Sequence, residues 1–491
     1  MASARNFRIR SLSKRYDNRL AKRVITVAPM PPEKSAYALA RYSRSADSIR
    51  QSIDWVRTHN SQQFLESYYF QYGHQSIADL GHTVLCFEGI SELAASEIED
   101  EMLWDGQAKS SRYQDFSKGG FITPPELESA EADQYRAAGD ALLAAYKEIH
   151  ARMDAYLREK LPRPESMKPE AYGRNIAARA FDVARYLLFW GVPTNVGQVT
   201  SIRTLEKQIR RLRVSEFAEV RDLGLEVAQA CAEKPECVWD NDACEPLAPT
   251  LARHAEPDEH RLQSRLDLER WAGENLRIEP AEFRRVDLVK PTDSLSEIVA
   301  TLLYPVCQYS FRGIYHTVLE WSTPRKVEVL DVATRSRGSR DDLLRGFRGG
   351  QYCFDMLIDI GAYRDMHRHR RCHQYRQAYT GIHGYDFPTA LREAGAEDIY
   401  RSAMNCALEA MRRLPDPACQ YLLPFGARAR FLFKMDFAEV EYISRVRSGI
   451  KGHFSYREIA WEMKERVDEI EPELGRLIQA TPPWVEDPLT R

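Results

Sequence analysis

The chain is expected to fold as two successive α+β units, each an antiparallel sheet wrapped by helices. Three observations predict this. Its 491 residues are more than one ordinary hydrophobic core organises. The stretch from Lys234 to Glu259 is rich in Pro, Asp, Glu and Ala with little apolar periodicity, so it reads as a linker or surface excursion, with about 230 residues on either side. Short β-prone runs also lie among longer helical patterns in a similar order in both halves, which is how α+β domains are built. The divisions expected are 1–245 for the first unit, 246–270 for the linker and 271–491 for the second.

In the first half, residues 48–72 carry apolar and aromatic residues at helical spacing. Thr83 to Phe87 is short and β-prone, and Ser91 then opens a helix through Met102. A long helix is expected over 131–161, stopped by Pro162, and another over 204–231. The second half gives a helix over 294–303, a strand-like run over 327–330 and a helix over 341–348. A mixed segment follows over 352–363, then a basic tract, a helix over 396–413 and a last one over 456–477.

Composition narrows the class. Hydrophobic content of 44% and charged content of 29% suit a soluble globular protein, and a net charge of −3 gives no bulk electrostatic reason for nucleic-acid binding. No apolar run approaches the ~20 residues of a membrane span. The N-terminus is basic without an apolar core, so it is no secretory signal; it could be a transit peptide, but a cytoplasmic protein is the simpler expectation. Nine cysteines fit reduced thiols better than a disulfide framework. Cys231, Cys237, Cys244 and His254 fall in one stretch, but their spacing matches no common zinc module and no metal is expected.

The chemistry concentrates between Arg364 and Tyr379, where Arg364, His367, Arg368, His369, Arg370, Arg371, His373 and Arg376 crowd thirteen positions. Five arginines so close must be solvated, paired with carboxylates or set opposite an anion. Arginine's planar fork suits phosphate, and Tyr375 and Tyr379 could stack on a planar ring. A solvated basic helix face is the bland alternative, and an RNA-binding patch a third that the acidic net charge weakens.

Arg368-His369-Arg370 resembles the start of the R-H-R-x7-S motif of the flavin-dependent thymidylate synthases, the ThyX family. The serine position holds Ala378, and the S-x-R-Y ending is found instead in the other half, as Ser110-Ser111-Arg112-Tyr113. There the R-H-R positions are Asp100, Glu101 and Met102. His74 to Ser76 is similar to the family's G-H-x-S/T segment, although its usual E-H is here Asp79-Leu80. Phe87 to Ser91 resembles the turn before the motif helix, Ala184 to Leu188 the A-R-x-x-L block, and Arg203 to Leu205 its R-S-L. The C-terminal block recurs with Gln420 in place of Arg185, Ala438 in place of Arg203, and Arg447 near the position of Arg213.

The resemblance therefore implies a diverged tandem duplication with complementary losses, made of two thymidylate-synthase-complementing-type domains. It implies FAD held by His74, Ser76, Arg203, Arg368, His369 and Arg370. It implies a deoxyuridylate substrate (dUMP) held by Ser110, Ser111, Arg112, Arg185, Arg213 and Arg447, with Arg368, Arg185 and Arg112 acting in catalysis. The implied reaction is reductive methylation of dUMP to dTMP, with methylenetetrahydrofolate and NADPH as co-substrates. Because the family's sites are shared between subunits, the expectation is a homodimer forming a pseudo-tetramer, with no nucleic-acid or membrane partner. A related flavoenzyme acting on another uracil nucleotide, or a non-catalytic nucleotide-binding pseudoenzyme, are the alternatives.

Overall fold

A computed structural model describes residues 30–489 except 46–47, 72–74, 113, 117, 236–245, 260–261, 264–283, 290–292, 304–310, 335–342, 344–346 and 348–351. Two antiparallel sheets organise it. The first contains β1 (His82–Ser91), β2 (Trp104–Ala108) and β3 (Pro193–Ser201) in the order β1-β3-β2. The second contains β4 (Val286–Val289), β5 (Tyr352–Asp359), β6 (His373–Arg376) and β7 (Arg428–Met435) in the order β4-β5-β7-β6. The order β5-β7-β6 repeats β1-β3-β2.

The repeat extends to local signals. After β1, β3, β5 and β7 the chain turns directly into a helix: α1 (Glu92–Glu99), α4 (Ile202–Leu212), α6 (Ile360–Met366) and α8 (Phe437–Arg447). Each is capped by a short polar side chain that accepts a hydrogen bond from an early backbone N–H. Ser91 takes Ala94 N at 2.9 Å, Ser201 takes Thr204 N at 3.2 Å, Asp359 takes Ala362 N at 2.8 Å and Asp436 takes Glu439 N at 2.9 Å. Counted from these caps, the register agrees without gaps: Asp105 faces Val199 as His373 faces Lys434. One difference is a bulge in β1 between Phe87 and Ile90. There Gly89 takes φ +65°, which glycine adopts without strain, and its N–H reaches Asn195 Oδ1 at 3.1 Å.

Around the sheets lie α2 (Ser129–Lys160), α3 (Pro169–Ala184), α5 (Ala218–Ala232), α7 (Glu397–Met411) and α9 (Phe454–Ile470). α7 packs along α2, so the halves share one apolar interior. They also exchange backbone hydrogen bonds at equivalent places. Trp190 and Gly191 donate to the carbonyls of Leu423 and Tyr421, at 3.3 and 2.8 Å. Phe425 and Gly426 donate back to Leu188 and Tyr186, at 2.7 and 2.9 Å.

The α+β class and the long helix stand as expected, as does the helix Ser294–Leu303. Several details differ. Residues 327–330 are not a strand but lie within the helix Thr323–Thr334, which Pro324 starts and which buries Lys326 and Leu330 four residues apart. The helix opened by Ser91 stops at Glu99, and β2 takes over at Trp104. The 204–231 run is two helices, α4 and α5, while 48–72 breaks into Ile49–Thr58, Ser61–Leu65 and a π-turn over Glu66–Gln71. The expected helix over 341–348 lies almost wholly outside the described residues. Part of the expected linker is packed: Pro249–Arg253 is helical, and buried Thr250 bonds to Glu33 through its N–H at 2.8 Å and its hydroxyl at 3.0 Å.

Candidate functional site

The composite site is built around Asp365, on α6. Arg185, carried to the sheet end by a 3-10 turn after α3, is 2% exposed. Its Nη1 donates to Asp365 Oδ2 at 3.1 Å and its Nη2 to the Gly361 carbonyl at 3.2 Å. Burial alone would raise the Asp365 pKa. Arg185, Arg368, Arg447 and Arg112 together outweigh it and hold the carboxyl below its ordinary range. Two of these arginines come from each half.

Arg112 follows β2. It grips Asp182 with two bonds of 2.7 and 3.3 Å, and also donates to Tyr456 Oη and to the Lys451 carbonyl, both at 3.0 Å. The Tyr456 ring lies between two guanidiniums, with Arg112 at 5.9 Å and Arg447 at 5.7 Å from its centroid. Arg447 Nε then donates to His369 Nε2 at 2.7 Å. That bond fixes a tautomer: Nε2 accepts, so the proton of the neutral ring sits on Nδ1, which lies 3.8 Å from Glu439 Oε1. Burial, with Arg447, Arg370 and Arg368 nearby, pulls the His369 pKa down to about 3. The buried imidazole is therefore a neutral link, not a cation.

The rest of the basic tract divides by exposure. Arg364 pairs with buried Glu92 at 2.6 Å and donates to Ser111 Oγ at 3.1 Å. Arg370 pairs with Asp105 and lies over the Trp104 ring at 5.2 Å. Arg376 pairs with Glu97. Arg368 is exposed, and its side chain has no hydrogen bond or ion pair among the described residues. It opens onto a cleft of ≈ 600 Å³ whose wall includes Trp104, Tyr442, Arg370, Arg371 and Arg447.

Eight of the residues singled out in the sequence thus meet: Ser110, Ser111, Arg112 and Arg185 from the first half with Arg368, His369, Arg370 and Arg447 from the second. Ser110 serves its own loop, its hydroxyl accepting from Arg112 N at 3.3 Å. Three others lie apart. Arg203 pairs with Asp79 at 2.7 Å, beside the Tyr69–Glu206 hydrogen bond of 2.5 Å. Ser76 sits exposed in a nearby 3-10 turn, and Arg213 donates to the Ala255 carbonyl at 2.6 Å. His74 lies outside the described residues. Sequence reasoning missed Asp182, Glu92, Asp365 and Tyr456. Of these only Asp365, inside the basic tract, carried a signal: a lone acid among arginines.

The Thy1 family, described as thymidylate synthase complementing protein, matches residues 23–234 and 342–473. The chain belongs to that family. Among its relatives, a UPF0159 protein of Chlamydia muridarum is 29% identical over 423 residues, covering 82% of this chain and 77% of the relative. Another, of Thermoplasma acidophilum, is 22% identical over 483 residues, covering 90% and 94%. A crystal structure of the flavin-dependent thymidylate synthase ThyX from Helicobacter pylori, complexed with FAD and dUMP, aligns at 12% identity over 39% of this chain and 98% of that one, with a TM-score of 0.29.

Within this Thy1 protein the equivalent of the composite site is chemically different. A cleft of ≈ 530 Å³ is lined by Glu97, Asp100, Glu216, Arg211 and Arg376. The positions matching Arg368, Arg112 and Arg185 hold Asp100, Thr380 and Gln420. Gln420 spends its amide internally, accepting from Tyr379 N at 3.2 Å and donating to Asp416 at 2.9 Å. Glu97 already pairs with Arg376 there. One pseudo-site is rich in cations and the other is not.

Proposed function

We propose that the chain is a flavin-dependent thymidylate synthase-type enzyme whose working site is the composite one. The observation that carries this is the gathering of Arg112 and Arg185 with Arg368 and Arg447 about Asp365, with Arg368, whose side chain has no ion pair among the described residues, lining a ≈ 600 Å³ cleft. The cleft suits FAD in kind. Arg368, Arg370 and Arg371 would offset its diphosphate, and Trp104 and Tyr442 offer flat apolar surface for a planar ring. When bound, the flavin supplies the hydride chemistry of a reductive methylation. The chain's own contribution is binding and orientation: fixed cations that need no reorganisation, and a neutral His369 that ties Arg447 in place. In this reading dUMP is the substrate, methylenetetrahydrofolate and NADPH are co-substrates, and two chains pair as a homodimer. His74, Ser76, Arg203 and Arg213 would serve the other end of the flavin or nucleotide from a second copy. No described helix is long and apolar enough to cross a membrane.

One observation favours a second reading. Arg112 and Arg185 already face Asp182 and Asp365, so a nucleotide phosphate would compete with internal carboxylates. That is what a non-catalytic nucleotide-binding protein, or an enzyme for a different uracil nucleotide, would also look like.

The test is the visible spectrum of the purified full-length protein incubated with FAD, followed by titration with dUMP. A flavin spectrum that dUMP perturbs is expected. Arg368→Ala removes a charge-assisted contact of about 1.5–3 kcal/mol, so FAD affinity should fall roughly 10- to 100-fold. Flavin without a dUMP response would favour a different nucleotide. Failure to hold FAD would remove the enzyme reading.

A further inference from the structure

Glu92 and His367 line one small cavity, and each carries a buried acceptor atom that the site above does not use. Glu92 is 2% exposed; Oε2 takes the 2.6 Å bond from Arg364 and Oε1 has no partner among the described residues. His367 is 6% exposed and its Nε2 has no partner among the described residues. Both line a cavity of ≈ 10 Å³ together with Ala95, Ser96, Glu99, Ala108, Arg364 and Arg368. That is about the space of one water molecule.

The tautomer of His367 follows from its neighbour. Gln374 Nε2 donates to the carbonyls of His367 and His369, at 3.3 and 2.9 Å, which fixes the amide orientation. Gln374 Oε1 therefore faces His367 Nδ1 at 3.0 Å and accepts its proton, with the Tyr363 hydroxyl oxygen beside it at 3.1 Å. Nε2 is left as a lone pair. A buried carboxylate oxygen and a buried imidazole lone pair, each without a donor, would cost about 1–3 kcal/mol apiece. A water donating one hydrogen to each removes both penalties.

We propose that a single ordered water bridges Glu92 Oε1 and His367 Nε2, and that the pair holds one exchangeable proton beside Arg368. The transfer is balanced. The carboxylic acid gives its proton to the water oxygen while the water gives one of its own to Nε2, leaving carboxylate and imidazolium with no change in total charge. Losing that proton to solvent leaves a net negative pair next to Arg364 and Arg368. Binding of an anion at Arg368 should therefore favour the protonated pair and draw in a proton. The identity of that anion rests on the functional reading above; the pair itself does not.

The surroundings suit a shared proton. Burial pushes the Glu92 carboxyl up against the pull of Arg364, and Glu99 pushes the same way. His367 also lines an open cleft of ≈ 230 Å³ that brings Glu99, Asp100 and Glu101 from the end of α1 and Arg211 from α4. The turn and β6 add Arg370, Cys372, His373 and Tyr375. His367 and Glu99 thus line both the small cavity and the wider, mixed-charge one.

Nitrogen NMR of full-length protein labelled at histidine tests this without any ligand, using His367→Asn to assign the resonance. Expected are an Nδ1–H, Nε2-bare ring at high pH and a titration midpoint that falls by at least one pH unit in Glu92→Gln. Ala95→Val fills the cavity while keeping both groups, and should lower the midpoint in the same direction. It also serves if Glu92→Gln does not fold. An Nε2–H tautomer, or a midpoint unmoved by these variants, would overturn the proposal and leave the flavin test untouched.

Discussion

Asp365 and Arg185 are worth considering as a single unit, because each makes the other tolerable. Arg185 is almost completely buried, and a guanidinium there without a carboxylate would be strongly unfavourable. Asp365→Ala should therefore lower stability by about 3–5 kcal/mol in urea unfolding, the cost typical of breaking a buried pair by removing one partner. Asp365→Asn, which keeps the shape and one acceptor, should cost less than the alanine change; equal losses would mean that the charge is immaterial. His369 allows a second prediction. Its pKa falls from an ordinary 6.5 to about 3 on folding, so between those values the unfolded chain binds the extra proton. This contribution to stability is complete above pH 6.5 and is lost as pH falls toward 3, by at most about 1.4 kcal/mol per pH unit. His369→Gln, whose amide oxygen can still accept from Arg447, should flatten that part of the stability profile. A profile as steep as that of the unaltered protein would assign the acid sensitivity elsewhere.

Helix caps place these residues. Asp359 ends β5, caps α6 and also takes a hydrogen bond from the Ser455 hydroxyl, so a single carboxylate ties the helix that delivers Arg368 to α9. Burial, with Asp386 adding to it, pushes the Asp359 carboxyl above its ordinary range, so the group is held at some cost. Asp359→Ala is predicted to cost about 1–2 kcal/mol, at or above the usual loss for a helix cap, and to weaken FAD binding as well. Loss of stability with unchanged FAD affinity would show that α6 does not set the cleft. At this scale the sequence was legible where one signal dominated. The long amphipathic run of α2, Ser91 before a helical pattern, and the dense basic tract could all be recognised. The strands could not, apart from the β1 run and the mixed segment over β5. In β3, the run PTNVGQVTS shows no apolar alternation because the buried alternate positions include polar Thr194, Gln198 and Thr200. β7 did carry a signal that went unread: Ala429, Phe431, Phe433 and Met435 are buried in alternation with Arg428, Arg430, Leu432 and Lys434. The run over 327–330 misled because β-branched residues also fit a helix once Pro324 starts one. The acids that complete the site were beyond sequence reading, since Asp182 and Glu92 meet their arginines only through tertiary folding.

Taken as a whole molecule, the two halves repeat each other yet are not built to stand apart. The segments 186–191 and 421–426 exchange four backbone hydrogen bonds in fully buried surroundings. Trp190, wholly buried at this seam, packs against Tyr379 at 5.1 Å and Phe425 at 5.6 Å in the other half. Five ion pairs among the described residues also cross between the halves, and three of them, Arg185–Asp365, Arg364–Glu92 and Arg376–Glu97, are the better shielded from solvent. Separation would expose the apolar surface and strand these backbone and charged groups, penalties that neither half recovers alone. The prediction is that the full chain unfolds in urea as one cooperative transition, with tryptophan fluorescence and far-ultraviolet dichroism coinciding. Trp190→Ala should shift that transition by about 3–5 kcal/mol without splitting it, because the cavity opens in a seam common to both halves. Two separate transitions in the unaltered protein, or a variant that melts one half only, would make the halves independent domains and the composite site a contact between them. A single transition ties the cation-rich pseudo-site to its cation-poor counterpart. Substitutions around Gln420 and Asp100 would then be felt as stability at Arg368.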